Sequence, residues 1–260
     1  MRLRLQEFRP RTGPHEHRVV QPRHPLRHTS LTAPDPVGLL LGDHDGLNHL
    51  AGLFSFAAYS RHTIVHVPLR DGVPPDEGWG ERVDLVLAHR TLGLRAAQWP
   101  ELRRKLTRGM STRGTPTRGT PTRGTPTRGT PTRGAPLTVH TDEARTARDA
   151  ESSSARRSHV NARDKLRHAT HARTLFLFGD QEVFAQLATD FAYAAGWGPR
   201  EKRVAEGHMA FMTALILPEP RGSGGHPLEV DICFKAYPPY AHFRRPGEPA
   251  IRRRRSATSP

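Results

Sequence analysis

The chain reads as an α+β protein, a small strand-helix-hairpin core joined to long disordered basic segments. Three observations predict this. Apolar periodicity is confined to residues 36–106 and 173–240. A pentapeptide, Thr-Arg-Gly-Thr-Pro, repeats between them. The excess positive charge avoids both apolar stretches: net +4 over residues 1–35, zero over 36–106, +8 over 107–172, −2 over 173–240 and +5 over 241–260.

Residues 1–35 are rich in Arg, His and Pro and read as a disordered basic region. Residues 36–106 read as an apolar α/β segment. Leu47 to Tyr59 suits a short buried helix, weakened by Gly52. Thr63 to Leu69 alternates like a strand, and Val83 to Ala88 is the clearest strand of this half. Ala96 to Leu106 reads as a helix, with Pro100 near its true start and Trp99, Leu102 and Leu106 on its apolar face.

Residues 107–172 read as a basic linker that carries the pentapeptide. Its Thr-Pro steps favour an extended chain, with arginines roughly 15 Å apart at about 3 Å of rise per residue. Residues 145–172 include a weakly amphipathic basic stretch with little to bury.

Residues 173–240 form the expected α+β core. Thr174 to Phe178 is a buried strand run. Asp180 is a plausible N-cap, followed by Phe184, Leu187, Ala188, Phe191 and Ala195 at helical spacing. Gly196 and Gly198-Pro199 stop the helix. His208 to Leu217 and Leu228 to Ala236 read as two strands of a hairpin. Such a core is small for independent stability. The two apolar stretches are therefore expected to pack together, with residues 107–172 as an insertion. Residues 241–260 read as a basic disordered tail.

Composition bounds the partners. The formal charge is +15, which favours nucleic acid, acidic lipid or an acidic protein. Arginine supplies 36 of the 40 basic residues, while isoleucine and asparagine are scarce. Coding by a GC-rich genome explains that bias more simply than selection for guanidinium–phosphate contacts. Cys233 is the single cysteine, so no internal disulfide forms and a Cys-rich zinc site is excluded. The start lacks an apolar run, so no signal peptide is expected. Val37 to Tyr59 is interrupted by Asp43, His44, Asp45 and His49 and is too polar to span a bilayer. These features favour an intracellular protein, nuclear if the host is eukaryotic or the protein viral. They leave its oligomeric state open.

The candidate polyanion contacts are Arg108, Arg113, Arg118, Arg123, Arg128 and Arg133 of the array, and Arg252, Arg253, Arg254 and Arg255 of the tail. Mobile arginines neutralise phosphates and give salt-sensitive, sequence-blind affinity. The array carries no aromatic residue for base stacking. The Arg252–Arg255 run, with Arg244-Arg245 upstream, also suits an import receptor. The Thr-Pro steps suit proline-directed kinases.

Histidine pairs (His15 with His17, His62 with His66, His168 with His171) lack the third and fourth ligands that zinc requires. Asp43-x-Asp45-Gly46 begins like a calcium loop, but Phe54 stands where the closing glutamate belongs. No nucleophile elbow, P-loop or dinucleotide fingerprint occurs. Glu229, Asp231 and Cys233 share one face of a strand, opposite Val230, Ile232 and Phe234; a solvated carboxylate pair is the simplest account. No cofactor or metal is implied.

The leading expectation is a non-enzymatic accessory or regulatory protein whose arginine-rich segments contact nucleic acid or another polyanion. A second is a small enzyme or ligand-binding α+β domain in which Asp84, His89, His208 and Asp231 converge. A third is an alternative-frame product of a GC-rich genome, without a selected fold.

Overall fold

The computed structural model describes residues 1–70, 80–108, 134–157, 166–218 and 227–236. The first strand, β1 (Arg2–Phe8), buries Leu3 and Leu5 and exposes Arg2 and Arg4, the two-residue period of a half-covered strand. A short hairpin follows, β2 (Arg11–Thr12) with β3 (His15–Glu16). β4 (Arg18–Pro22) pairs antiparallel with β1, and β5 (Thr29–Leu31) opens a second sheet. Residues 1–35 thus hold five strands where composition suggests a disordered basic region. The Leu3/Leu5 alternation carries the strand signal, and the surrounding arginines and prolines mask it.

The remaining elements are β6 (Val37–Gly42), α1 (His44–Tyr59), β7 (Thr63–Val67), β8 (Asp84–His89), α2 (Trp99–Arg108) and β9 (Ala135–His140). Then come α3 (Glu143–Arg157), β10 (Arg167–Thr170), β11 (Thr174–Gly179), α4 (Gln181–Trp197), α5 (Lys202–Ala205), β12 (Ala210–Leu217) and β13 (Leu228–Phe234). A seven-stranded sheet has the order β10-β11-β8-β7-β4-β1-β9, and a four-stranded sheet the order β12-β13-β6-β5. Most of the pentapeptide array and all of residues 241–260 lie outside the described residues.

Two copies of one pattern underlie this arrangement. In the first, the antiparallel pair β5/β6 leads through α1 to the antiparallel pair β7/β8. In the second, β10/β11 leads through α4 to β12/β13. The copies exchange strands. β8 of the first pairs parallel with β11 of the second, and β13 of the second pairs parallel with β6 of the first. Each sheet therefore draws two core strands from each copy.

The repeat is written in the residues. Gly42-Asp43 answers Gly179-Asp180; Leu50-Ala51 answers Leu187-Ala188; Phe54 answers Phe191; Ala57-Ala58 answers Ala194-Ala195. Both aspartates cap their helices: Asp43 accepts from the Gly46 N–H and Asp180 from the Val183 N–H, each satisfying a donor that the first turn leaves open.

α1 and α4 pack against each other and against the inner faces of both sheets. Phe54 and Phe191, equivalent in the two copies, stack on one another with centroids 4.9 Å apart. Leu50, Phe54, Phe184 and Phe191 join Leu40, Leu85, Leu87, Val230 and Phe234 in one buried cluster. β12 and β13 do pair as the expected hairpin. The strand before α4, however, leaves that hairpin to lie beside β8 in the other sheet. The strand-helix-hairpin unit is thus not closed on itself, because its strand burial depends on the first copy.

α2 covers the outer face of the seven-stranded sheet. Trp99, Leu102 and Leu106 are fully buried against Ile64, Val86, Ala88 and Phe176, as the helical spacing of those three residues predicts. α3 packs on α4, where Gln181 Nε2 donates to Asp149 Oδ2 at 3.0 Å, and is tied to the end of α1 by Tyr59 Oη donating to the same oxygen at 2.7 Å.

Because each sheet mixes both copies, unfolding is expected to be a single transition. Far-ultraviolet dichroism and tryptophan fluorescence should trace coincident urea curves; separated midpoints would show that the copies melt independently. Phe54→Ala should lower stability by about 3–5 kcal/mol, since it removes a fully buried ring at the contact between copies.

Candidate functional site

Two polar centres stand out, one open and one closed. The open centre lies where α1 begins. After β4 the chain crosses to β5 through residues 23–28, held to β1 by the Arg23 N–H donating to the Arg4 carbonyl at 2.9 Å. Buried Leu26 anchors this crossing. Exposed Arg2 and Arg4 of β1, with His24, Arg27 and His28 of the crossing, form one side of a cleft of about 460 Å³. Asp43, Asp45, Gly46 and His49 of α1 form the other.

The α1 side is tightly built. A methyl group on Gly46 would lie 1.9 Å from Thr29 Oγ1, so only glycine lets α1 start this close to β5. Asp43 Oδ1 accepts from the Gly46 N–H at 2.8 Å. Burial pushes the Asp43 carboxyl above its ordinary value, while the Gly46 N–H and nearby His28 partly offset that rise. The wall therefore combines arginine, histidine and carboxylate. It suits a ligand that presents negative charge in one place and N–H donors in another.

The closed centre surrounds Asp84 at the start of β8. Its Oδ1 accepts from the N–H groups of Leu69 and Arg70 at 3.2 and 3.3 Å. Its Oδ2 lies 3.0 Å from Arg70 Nη2, 3.5 Å from His66 Nε2 and 3.6 Å from Arg103 Nη2 of α2. Gln21 Nε2 approaches His66 Nδ1 at 2.7 Å; the amide donates, which leaves the His66 proton on Nε2, facing Asp84. The His66 ring also meets Trp99 edge-on at 4.9 Å. Burial raises the Asp84 carboxyl, but His66 and Arg70 outweigh it and hold the group below its ordinary value. This network ties β4, β7, β8 and α2 together and sits beneath α2, away from solvent, so its role is to hold the helix on the sheet.

The four residues that a cleft enzyme would need are not brought together. Asp84 and His89 begin and end β8, His208 precedes β12, and Asp231 lies on β13 in the other sheet. His89 Nδ1 instead meets the Thr91 hydroxyl at 2.7 Å. Cys233 is buried and its thiol is pushed up to about 11, by burial and then by Asp231, so it is not a reactive thiolate. Glu229 and Asp231 share one strand face, opposite buried Val230, Ile232 and Phe234. Arg108 ends α2; Arg113 to Arg133 and Arg252 to Arg255 lie outside the described residues.

Among the described residues, no three His, Cys, Asp or Glu side chains gather as a metal-holding group. Nor is any described helix long and apolar enough to cross a membrane. The cleft residues Arg2, Arg4, His24, Arg27 and His28 are absent from the sequence-based candidates, because the array and the tail dominate the charge count. No protein-family model, curated protein or solved structure matches the chain.

The two aspartates should respond oppositely to replacement. Asp84 has a depressed folded value, so its stabilisation is fully present above the ordinary 3.8 and is lost as pH falls through that lower value. Asp84→Asn at neutral pH should cost about 3–5 kcal/mol by removing the buried charge that half-buried Arg70 faces, read from urea midpoints. Asp43 has a raised folded value, so its contribution is lost as pH rises through that value. Asp43→Asn, which keeps a capping oxygen, should be neutral or stabilising at pH 7, whereas Asp43→Ala should cost about 1 kcal/mol.

Proposed function

We propose that the chain is a non-enzymatic binding protein for nucleic acid, engaging single strands through the cleft at the start of α1 together with its arginine-rich segments. The observation that supports this most directly is the convergence of Arg2, Arg4 and Arg27 with His24, His28 and His49 on one cavity of about 460 Å³. Guanidinium groups bind phosphate and release counterions, and the histidine rings add hydrogen-bonding groups beside them. Asp43 and Asp45 on the same cavity favour a polymer that also carries base N–H donors over a purely anionic one. The strongly basic stretches 107–172 and 241–260 extend the electrostatic footprint beyond the cleft. We read the role as accessory or regulatory, because the groups lining the cleft can neutralise and orient a nucleic acid.

The test is fluorescence anisotropy of a labelled single-stranded oligonucleotide against the full-length protein, titrated across salt, with heparin as the comparison polyanion. Affinity should fall steeply with salt. Replacing Arg2, Arg4 and Arg27 together by alanine should flatten the slope of log affinity against log salt by about 2, given roughly 0.7 per phosphate contact on single strands. An unchanged slope would remove the cleft from the binding surface. Indistinguishable behaviour toward heparin and the oligonucleotide would reduce the interaction to charge alone.

A further inference from the structure

The two copies are covered unequally on their outer faces. On the seven-stranded sheet, α2 lies over the outer face. Its Trp99, Leu102 and Leu106 fill the apolar part, and its Arg103 reaches toward Asp84. The four-stranded sheet repeats the strands beneath. Strand pairing sets Gly179 opposite His89 in one sheet and Gly42 opposite Phe234 in the other. Counting back from those pairs puts Glu229 at the position of Asp84, with Asp231 two residues further along the same face. Leu39 and Leu41 take the positions of Phe176 and Phe178, counted from the shared Gly-Asp.

That second face holds a small apolar floor of Leu39, Leu41 and Cys233, with Met209 packed against it. None of the described helices contributes to this cluster. Around it, Val37, Phe211 and Ile216 are 52%, 59% and 53% exposed. The pairings Glu229–Val37, Glu229–Ile216 and Cys233–Phe211 put all three on the outer side. The surface therefore combines apolar side chains with two carboxylates, on strands whose counterparts in the other sheet carry a helix.

We propose that this face binds an amphipathic basic helix supplied by another protein. The occupant has the chemistry of α2: an aromatic residue at i, leucines at i+3 and i+7 to cover the floor, and an arginine at i+4 to meet Glu229 and Asp231. Helix recognition of this kind reads its partner through i, i+3, i+7 anchors. Acidic groups beside the apolar floor select a basic helix and disfavour an acidic one. The proposal stands apart from nucleic-acid binding, since the cleft at the start of α1 uses none of these residues.

The experiment uses the full-length protein and a fluorescein-labelled synthetic peptide spanning residues 95–108, the sequence of α2 with its lead-in. Saturable anisotropy binding is expected. Ile216→Glu and Phe211→Glu should each weaken it at least tenfold, and the Glu229→Gln/Asp231→Asn pair should weaken it and flatten its salt dependence. A control peptide of unchanged charge, carrying W99S, L102S and L106S, should not bind. Because Ile216 and Phe211 are exposed, their variants should melt as the wild type does, which separates lost binding from lost folding. Three results would each overturn the proposal. One is failure of the peptide to bind, and another is binding that survives both Ile216→Glu and Phe211→Glu. The third is micromolar self-association abolished by Ile216→Glu, which would make the face a contact between two copies of this chain.

Discussion

The contact between α1 and α4 is the constraint on which the rest of the molecule depends. Phe54 stacks on its own counterpart, Phe191, so the two copies meet through the same side chains, as subunits do across an isologous interface. The strands flanking each helix lie in the two sheets that the helix pair covers. There the copies exchange strands: β6 pairs with β13 and β8 with β11. Neither copy has a complete sheet without the other, although each carries a capped helix and two antiparallel pairs.

Charge is handled differently in the interior and at the surface. Inside, Asp84 is surrounded by His66, Arg70 and Arg103, so a buried carboxylate becomes a tie between a helix and a sheet. Beside the open cleft, Asp43 is a buried cap whose burial raises its carboxyl, with arginine and histidine gathered on the other wall. A carboxylate takes a different role according to what lies over it. Asp84 is covered by α2, whereas Glu229, at the matching position on β13, lies on the outer face that no described helix covers.

Much of the secondary structure was legible in the sequence. α4 with its Asp180 cap, the buried face of α2 and the strand at Val83 to Ala88 follow from spacing and capping chemistry, which are local. The sheets were not legible, because pairing β6 with β13 joins residues far apart in sequence. The internal repeat was legible but hidden: the conspicuous pentapeptide draws attention away from Gly-Asp, Leu-Ala, Phe and Ala-Ala recurring at matched positions in α1 and α4. The N-terminal strands were obscured in another way. Arg2 and Arg4 alternate with Leu3 and Leu5, and composition averaged over thirty-five residues erases an alternation of period two. The cleft was missed for the same reason, since its arginines look like part of a tail until β1 and the crossing from β4 to β5 are seen to flank the start of α1.

The strand exchange also has a consequence in time. β6 ends at Gly42, and its partner β13 begins at Leu228. A ribosome adding about 5–20 residues per second leaves an interval on the order of 10–40 s between making the first of these strands and the second. For that interval one side of β6 has no partner from its own chain, and β8 waits in the same way for β11. Unpaired strand edges recruit other strands. Early in its synthesis this protein is therefore most exposed to mispairing with another nascent copy of itself, whose β13 would fit as well as its own. The symmetry that closes the finished molecule is, while the chain is incomplete, a route to a swapped dimer.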